Sequence, residues 1–318
     1  MKKSLFSTAD YYKPYAYKGL CGRYIYMPAK SAEAKRTFVV LYGQHATLER
    51  IEPIVSALTK FGDVYAVDYP GFGGMDPAYK IGEQPTLSFY SGHINQFIKE
   101  IIPADKTLTL LGISYGFQLV TETLHSFPEL QQKVEDAISF VGFVHHNDFH
   151  LPPSYSIPML YLLALPAKTW LGSRILTFLE RDWLVSGIYM ITKPIQAKFK
   201  SLSKAEAKSY MDEQAWLWRI NDLRTHAVTA LAFCKHNDLT AYRIKVPVTH
   251  IGVPKDHLVD NTRVAVELKE MFSSFQEFSL NLAIHAPLDL GSPESVLELL
   301  PPDLLNYLES SAATRTKL

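Results

Sequence analysis

The sequence predicts an α/β fold built on a mostly parallel sheet, with an antiparallel entrance and a helical insertion late in the chain. Three observations carry this. From Phe38 onward, apolar runs of strand length alternate with stretches of helix length, the pattern of strands buried on both faces and joined by crossover helices. Before that, residues 15–26 alternate in polarity around Gly19 and Gly22, which reads as an antiparallel hairpin turning at Gly19 to Gly22. From about His150 to Leu239 the alternation stops; this stretch is helical in pattern and carries prolines at 152, 153, 158, 166 and 194. The expected organisation is a core of residues 1–149 and 240–318 with a helical cap at 150–239.

Each element follows from its own residues. After the hairpin, a polar loop from Lys30 to Arg36 leads into Phe38-Val39-Val40-Leu41-Tyr42, a buried strand ending at Gly43. Glu49 to Phe61 reads as a helix, Val64 to Asp68 as the next strand, and about Ser88 to Glu100 as a second helix. Leu108, Leu110 and Leu111 mark another strand, and Leu119, Val120 and Leu124 recur at helical spacing after it. Ala137 to Val144, Val246 to Gly252 and Phe275 to Leu282 complete the strands, with room for crossovers between them.

Composition excludes several classes of function. The 318 residues are 47% hydrophobic, enough for a full core, and Lys plus Arg equals Asp plus Glu at 32 each, so no net field favours nucleic acid. Cys21 and Cys234 match no metal or redox spacing and are expected to be small buried hydrophobes. The basic start Met1-Lys2-Lys3 is interrupted by Ser7, Thr8 and Asp10 before any apolar run develops, so a cytoplasmic location is expected. The first half of the cap is rich in leucine, tryptophan and tyrosine, but Pro158, Pro166, Lys168, Arg174 and Glu180 cut it below membrane-spanning length. Those apolar residues would pack the cap onto the core, line an acyl pocket, or allow transient contact with a lipid surface.

The chemistry is concentrated at Gly112-Ile113-Ser114-Tyr115-Gly116, where a strand runs into a helix. This Gly-x-Ser-x-Gly pattern marks a nucleophile elbow, in which a sharp turn pushes the serine hydroxyl out at the top of the sheet while glycines remove clashing Cβ atoms. Ser114 is therefore the expected nucleophile. A serine hydroxyl needs a base at neutral pH, and histidine has the pKa nearest that range. The run His145-His146-Asn147-Asp148-Phe149-His150 lacks the spacing of helix-borne metal ligands, so no metal is expected; His145 and His146 are read as pocket wall. No cofactor is expected.

The order of these features resembles the α/β-hydrolase superfamily, in its capped branch, over roughly residues 15 to 310. Four stretches carry the likeness: Tyr42-Gly43-Gln44-His45 after the first buried strand, Asp68-Tyr69-Pro70-Gly71-Phe72-Gly73-Gly74, the elbow at Ser114, and Gly252-Val253-Pro254-Lys255-Asp256 followed later by His285-Ala286-Pro287. The resemblance implies a triad of Ser114, Asp256 and His285, in the chain order this fold uses. Asp260 and Asp148 are alternative acids. It implies an oxyanion hole made by the backbone amides of Gln44 and Tyr115, with His45 as a pocket residue. Tyr42 and Ile284 depart from the residues the family commonly has there, histidine and glycine.

The activity implied is hydrolysis of a carboxylic ester, with an apolar acyl chain, through an acyl-enzyme. The same triad serves acyltransferases, thioesterases, peptidases and carbon–carbon bond hydrolases, and an inactive ligand-binding relative is the alternative outside enzymes. The expected partner is a small-molecule ester or acyl compound.

Overall fold

The computed structural model describes residues 9–150, 203–235, 239–254, 256–280 and 291–310, with isolated positions between 158 and 175. Eight strands form one sheet: β1 (Tyr12–Tyr17), β2 (Leu20–Met27), β3 (Arg36–Leu41), β4 (Gly62–Val67), β5 (Leu108–Ile113), β6 (Val134–Phe140), β7 (Val248–Gly252) and β8 (Phe275–Ser279). The described helices are α1 (Leu48–Leu58), α2 (Leu87–Ile101), α3 (Tyr115–Ser126), α4 (Lys204–Ile220), α5 (Leu223–Lys235), α6 (Asn261–Met271), α7 (Pro293–Leu299) and α8 (Pro302–Glu309). Among the described residues, no helix is long and apolar enough to cross a membrane.

The sheet order is β1-β2-β4-β3-β5-β6-β7-β8, antiparallel through β1, β2 and β4 and parallel from there on. β3 lies between β4 and β5, so the connections leave it in opposite directions and open a crevice beyond the strand C-termini. Gly43 and Ser114 fall at the mouth of that crevice because each directly follows one of the two strands that bound it. β5 alternates between two helical layers. Leu111 and Ile113 face a space walled by α1, α7 and α8, whereas a Cβ on Gly112 would meet Phe117 of α3.

Four local expectations are corrected. The hairpin turn is Lys18-Gly19, with φ of 49° and 83°, one residue earlier than Gly19 to Gly22; two successive left-handed residues give the turn whose twist matches the strands. Cys21 consequently lies within β2 opposite Ala16 and is exposed, not buried. β6 starts at Val134 and stops at Phe140, short of Val144, because Val141 adopts φ 45° and leaves the extended region while its amide still donates to Ile251 O at 2.8 Å. Arg36 is not loop but the first residue of β3, and it is buried.

Arg36 closes the base of the molecule. Its guanidinium donates to Thr109 Oγ1 at 3.1 Å, Asp136 Oδ2 at 3.2 Å, and the Tyr307 and Ser310 carbonyls at 2.9 and 3.0 Å. The Tyr307 hydroxyl donates to Asp136 at 2.5 Å and accepts from Thr249 at 2.6 Å. Buried charge is tolerated here because it is paired and hydrogen-bonded on several sides, and removing one member of such a pair costs about 3–5 kcal/mol. The network fixes α8 to the sheet at the end opposite Ser114.

Candidate active site

Ser114 sits between β5 and α3 at φ 52°, ψ −118°, a conformation that L-residues avoid and that costs about 1–3 kcal/mol. The turn is imposed from both sides. The Ser114 amide donates to Phe140 O of the neighbouring strand at 2.9 Å, and its carbonyl accepts from Phe117 N at 2.9 Å as α3 begins. The flanking glycines have no alternative: a Cβ at Gly112 would stand 2.4 Å from Phe117 Cα, and one at Gly116 2.1 Å from Leu41 O. The strand-turn-helix context expected from the sequence is present.

The loop after β3 passes beside this turn, with the Gly43 Cβ position 3.3 Å from Ser114 Cβ. Tyr115 opens α3, so its amide lies at the positive end of the helix. Gln44 is held from above: its side-chain amide donates to His226 O at 3.0 Å and to Thr229 Oγ1 at 2.8 Å, both on α5. Tyr42, fully buried, anchors the same loop from below. Its hydroxyl donates to Asp68 Oδ1 at 2.9 Å and accepts from Tyr69 N at 3.2 Å, while Tyr69 OH donates back to Tyr42 O at 3.1 Å. Burial pushes the Asp68 carboxyl up to about 7, against the opposing pull of Arg23, 2.9 Å away, and of Tyr42.

His45, at φ 58°, points both ring nitrogens into buried space without a hydrogen-bond partner. Its ring lies 4.2 Å from Trp218 of α4 and 5.1 Å from His226 of α5. Burial, with His226 and Arg50 nearby, holds His45 well below the usual imidazole range, and burial alone brings His226 down to about 4. Both rings are neutral at physiological pH. Trp218, His226 and Gln214 were not legible as site residues, because nothing in a helical amphipathic pattern says which face meets a loop more than 150 residues upstream.

The three acidic candidates sit in different surroundings. Asp260 is the N-cap of α6, accepting from Thr262 and Arg263 amides. Asp148 is fully buried, accepts from Val144 and His145 amides at 2.9 Å each, and lies against Glu267; burial raises its pKa, and burial with the Asp148 charge raises that of Glu267. Asp256 lies in the loop after β7, nearly buried, with Oδ1 accepting from Leu258 and Val259 amides at 2.8 and 3.1 Å. His285 and Ile284 lie outside the described residues. His145 and His146 are not among the described residues lining the space at Ser114; their rings lie tilted against each other with centroids 4.1 Å apart, and His145 faces Glu267. Among the described residues no cluster suits a metal ion.

A cavity of about 350 Å³ opens at Ser114. Gly43, Gln44, His45, Arg50 and Gln214 surround its mouth, and apolar side chains, aliphatic except for Phe61 and Phe140, line the rest. Such a volume and lining suit a small-molecule site.

A family model described as serine aminopeptidase, S33, matches residues 32–282. No curated protein sequence gives a significant match. Among solved structures, a hydrolase from Pseudomonas aeruginosa PA01 is similar with a TM-score of 0.66 at 16% identity, covering 95% of this chain and 100% of that one. An enol-lactonase from Burkholderia xenovorans LB400 gives 0.61 at 16% identity over 94% and 100%, and an esterase from Rhodococcus sp. ECU1013 gives 0.59 at 14% over 94% and 99%. At these identities the solved structures speak for the fold, which agrees with the strand order and elbow described above. With the family match running from before β3 to beyond β8, the chain belongs to the S33 serine aminopeptidase family of the α/β-hydrolase superfamily and is a hydrolase.

Proposed function

We propose that this hydrolase cleaves a carboxylic ester through an acyl-enzyme formed on Ser114. The observation that carries the reading is the strained Ser114 turn at the mouth of an apolar cavity. Ser114 Oγ bonds to the carbonyl carbon as His285 accepts its proton. The tetrahedral oxyanion receives hydrogen bonds from the Gln44 and Tyr115 amides. Collapse breaks the bond to the leaving oxygen, which takes the proton from His285, and water repeats the sequence to free the acid.

Asp256 orients His285. Supporting this choice, Asp260 is occupied as a helix cap and Asp148 shares its site with Glu267, whereas Asp256 follows β7, the position the family's acid takes. Residues 150–239 act as the cap over Ser114, and the balance of charges, 32 against 32, fits a small-molecule substrate. The family name raises an aminopeptidase as the competing reading. An aminopeptidase needs an anionic group for the substrate's α-ammonium, yet the charged side chain among the described lining residues is Arg50, a cation. The lining supports a neutral ester.

Labelling with a fluorophosphonate, with turnover of p-nitrophenyl esters and aminoacyl p-nitroanilides alongside, tests the reading. Wild type is expected to label and to cleave esters in preference to anilides, and Ser114→Ala to lose labelling together with about 10⁴-fold or more of kcat. A folded wild type that does not label overturns the nucleophile assignment.

A further inference from the structure

We infer that the acyl chain of the substrate is a linear, medium-length alkyl chain housed inside the core, in the slot between α1 and the α7–α8 pair, and not beneath the cap. This rests on the ester-hydrolase reading and adds where the chain goes and how long it is.

The slot's polar residues are confined to its mouth. Beyond Ser114 its walls are Ile54, Ala57 and Phe61 of α1 and the turn that follows it, Leu111 and Ile138 of the sheet, and Leu304 of α8. Lining residues run along α1 from Arg50 to Leu58, about 12 Å at the helical rise, and on to Phe61 in the turn beyond. A volume of about 350 Å³ spread over that length suits an extended hydrocarbon chain. A methylene takes roughly the space of a water molecule, about 30 Å³, which sets the capacity on the order of ten carbons.

The two described insertion helices offer a different surface. Of α4 and α5, Gln214 belongs to the described lining, while Trp218, Asn221, Asp222, Arg224 and His226 meet the core at His45, Gly73, Gly71, Tyr79 and Gln44, away from the slot's apolar walls. At the slot's base the Arg36–Asp136–Tyr307 network ties α8 to the sheet, and the Lys60–Glu309 ion pair ties it to the turn after α1. An unfilled apolar void lowers stability in proportion to its volume, so a chain that fills it binds with that much in its favour. The acyl side is assigned because the alcohol must depart between the two half-reactions, whereas the acyl group stays; a slot entered from Ser114 suits the group that stays.

One reagent separates this inference from the reading beneath it. An alkylphosphonofluoridate with a ten-carbon chain on phosphorus and a diazirine at the chain end is reacted with wild type, irradiated and mapped by peptide mass spectrometry. Phosphonylation of Ser114 tests the ester-hydrolase reading, and the site of the photo-crosslink tests the slot. Crosslinks within residues 51–61 or 296–308 are expected; crosslinks within 150–239 overturn the inference while leaving Ser114 as nucleophile. Chain-length profiles give the second measure. With p-nitrophenyl esters, kcat/KM is expected to rise about fourfold per methylene to about ten carbons and then fall, whereas acetates of long-chain alcohols show no such rise. Ala57→Leu is expected to move the maximum to shorter acyl chains and Ile54→Ala to longer ones. Profiles unchanged in both folded variants, with Ser114 still labelled, overturn it equally.

Discussion

Tyr42 shows how a single departure from a family's usual residue is absorbed. Where relatives commonly have histidine, a tyrosine reaches down to Asp68 and holds the loop that carries Gly43 and Gln44. Tyr42→Phe removes a donor from a buried carboxylate and an acceptor from the Tyr69 amide. It is expected to cost about 2 kcal/mol in urea unfolding and to raise the Asp68 pKa further, which carbonyl-region NMR would follow. Gly116→Ala is a sharper test of the elbow. A methyl 2.1 Å from the Leu41 carbonyl meets backbone on a central strand, which cannot yield, so a loss of more than about 4 kcal/mol is expected, or no folded protein. Ser114 was legible in the sequence because its geometry is written locally, in two glycines and a flanking strand. Tyr42's role was not, since its partner lies 26 residues away and only the fold brings Asp68 beneath it.

The elements above the sheet are tied to the site by specific hydrogen bonds as well as by buried apolar side chains such as Leu217 and Leu231. At the junction of α4 and α5, Asn221 Oδ1 accepts from Gly73 N at 2.8 Å, and Asp222, which caps α5 through Thr225 N, donates its own amide to Gly71 O at 2.8 Å. With the Gln44 contacts to His226 and Thr229, the loops after β3 and β4 hang on α5 and on the junction that precedes it. Asn221→Ala is expected to speed hydrogen exchange across residues 204–235 and in the 69–75 loop while leaving β5 and β6 unchanged; uniform exchange across all of these would count against the junction as the tether. The sequence announced the order and type of the core elements through their periodicity, and missed where some of them end. The boundaries it missed are set by single residues with left-handed backbone, Lys18 and Val141, which side-chain type does not announce. The apolar half of the insertion, read as packing surface or acyl pocket, lies mostly outside the described residues.

At the scale of the whole molecule, buried titratable groups set a pH dependence with two opposing limbs. Burial brings His93 down to about 3 and His226 and His250 to about 4, so the unfolded chain takes up protons below pH 6.5 that the fold refuses, and stability falls as pH drops toward 4. Asp68 and Glu267 are raised, so between about pH 4 and their folded values near 7 and 8 the fold keeps protons the unfolded chain has already released; their contribution falls across that range, and above about pH 6.5 it is no longer offset by the histidines. The melting temperature is expected to peak around pH 6.5. Glu267→Gln should move that peak upward by roughly half a unit, read by circular dichroism from pH 4 to 9; an unmoved peak would exclude Glu267 as a contributor. The base of the molecule has a further consequence, in time. Arg36 is joined to a carbonyl 271 residues later, so the bonds that satisfy its buried charge form only after Tyr307 has left the ribosome. Until Tyr307 emerges, β3 and β6 carry an ion pair that lacks its cover. Such distant closure makes for slow folding, and a chain interrupted before α8 would remain a client of chaperones even with every strand of its sheet already made.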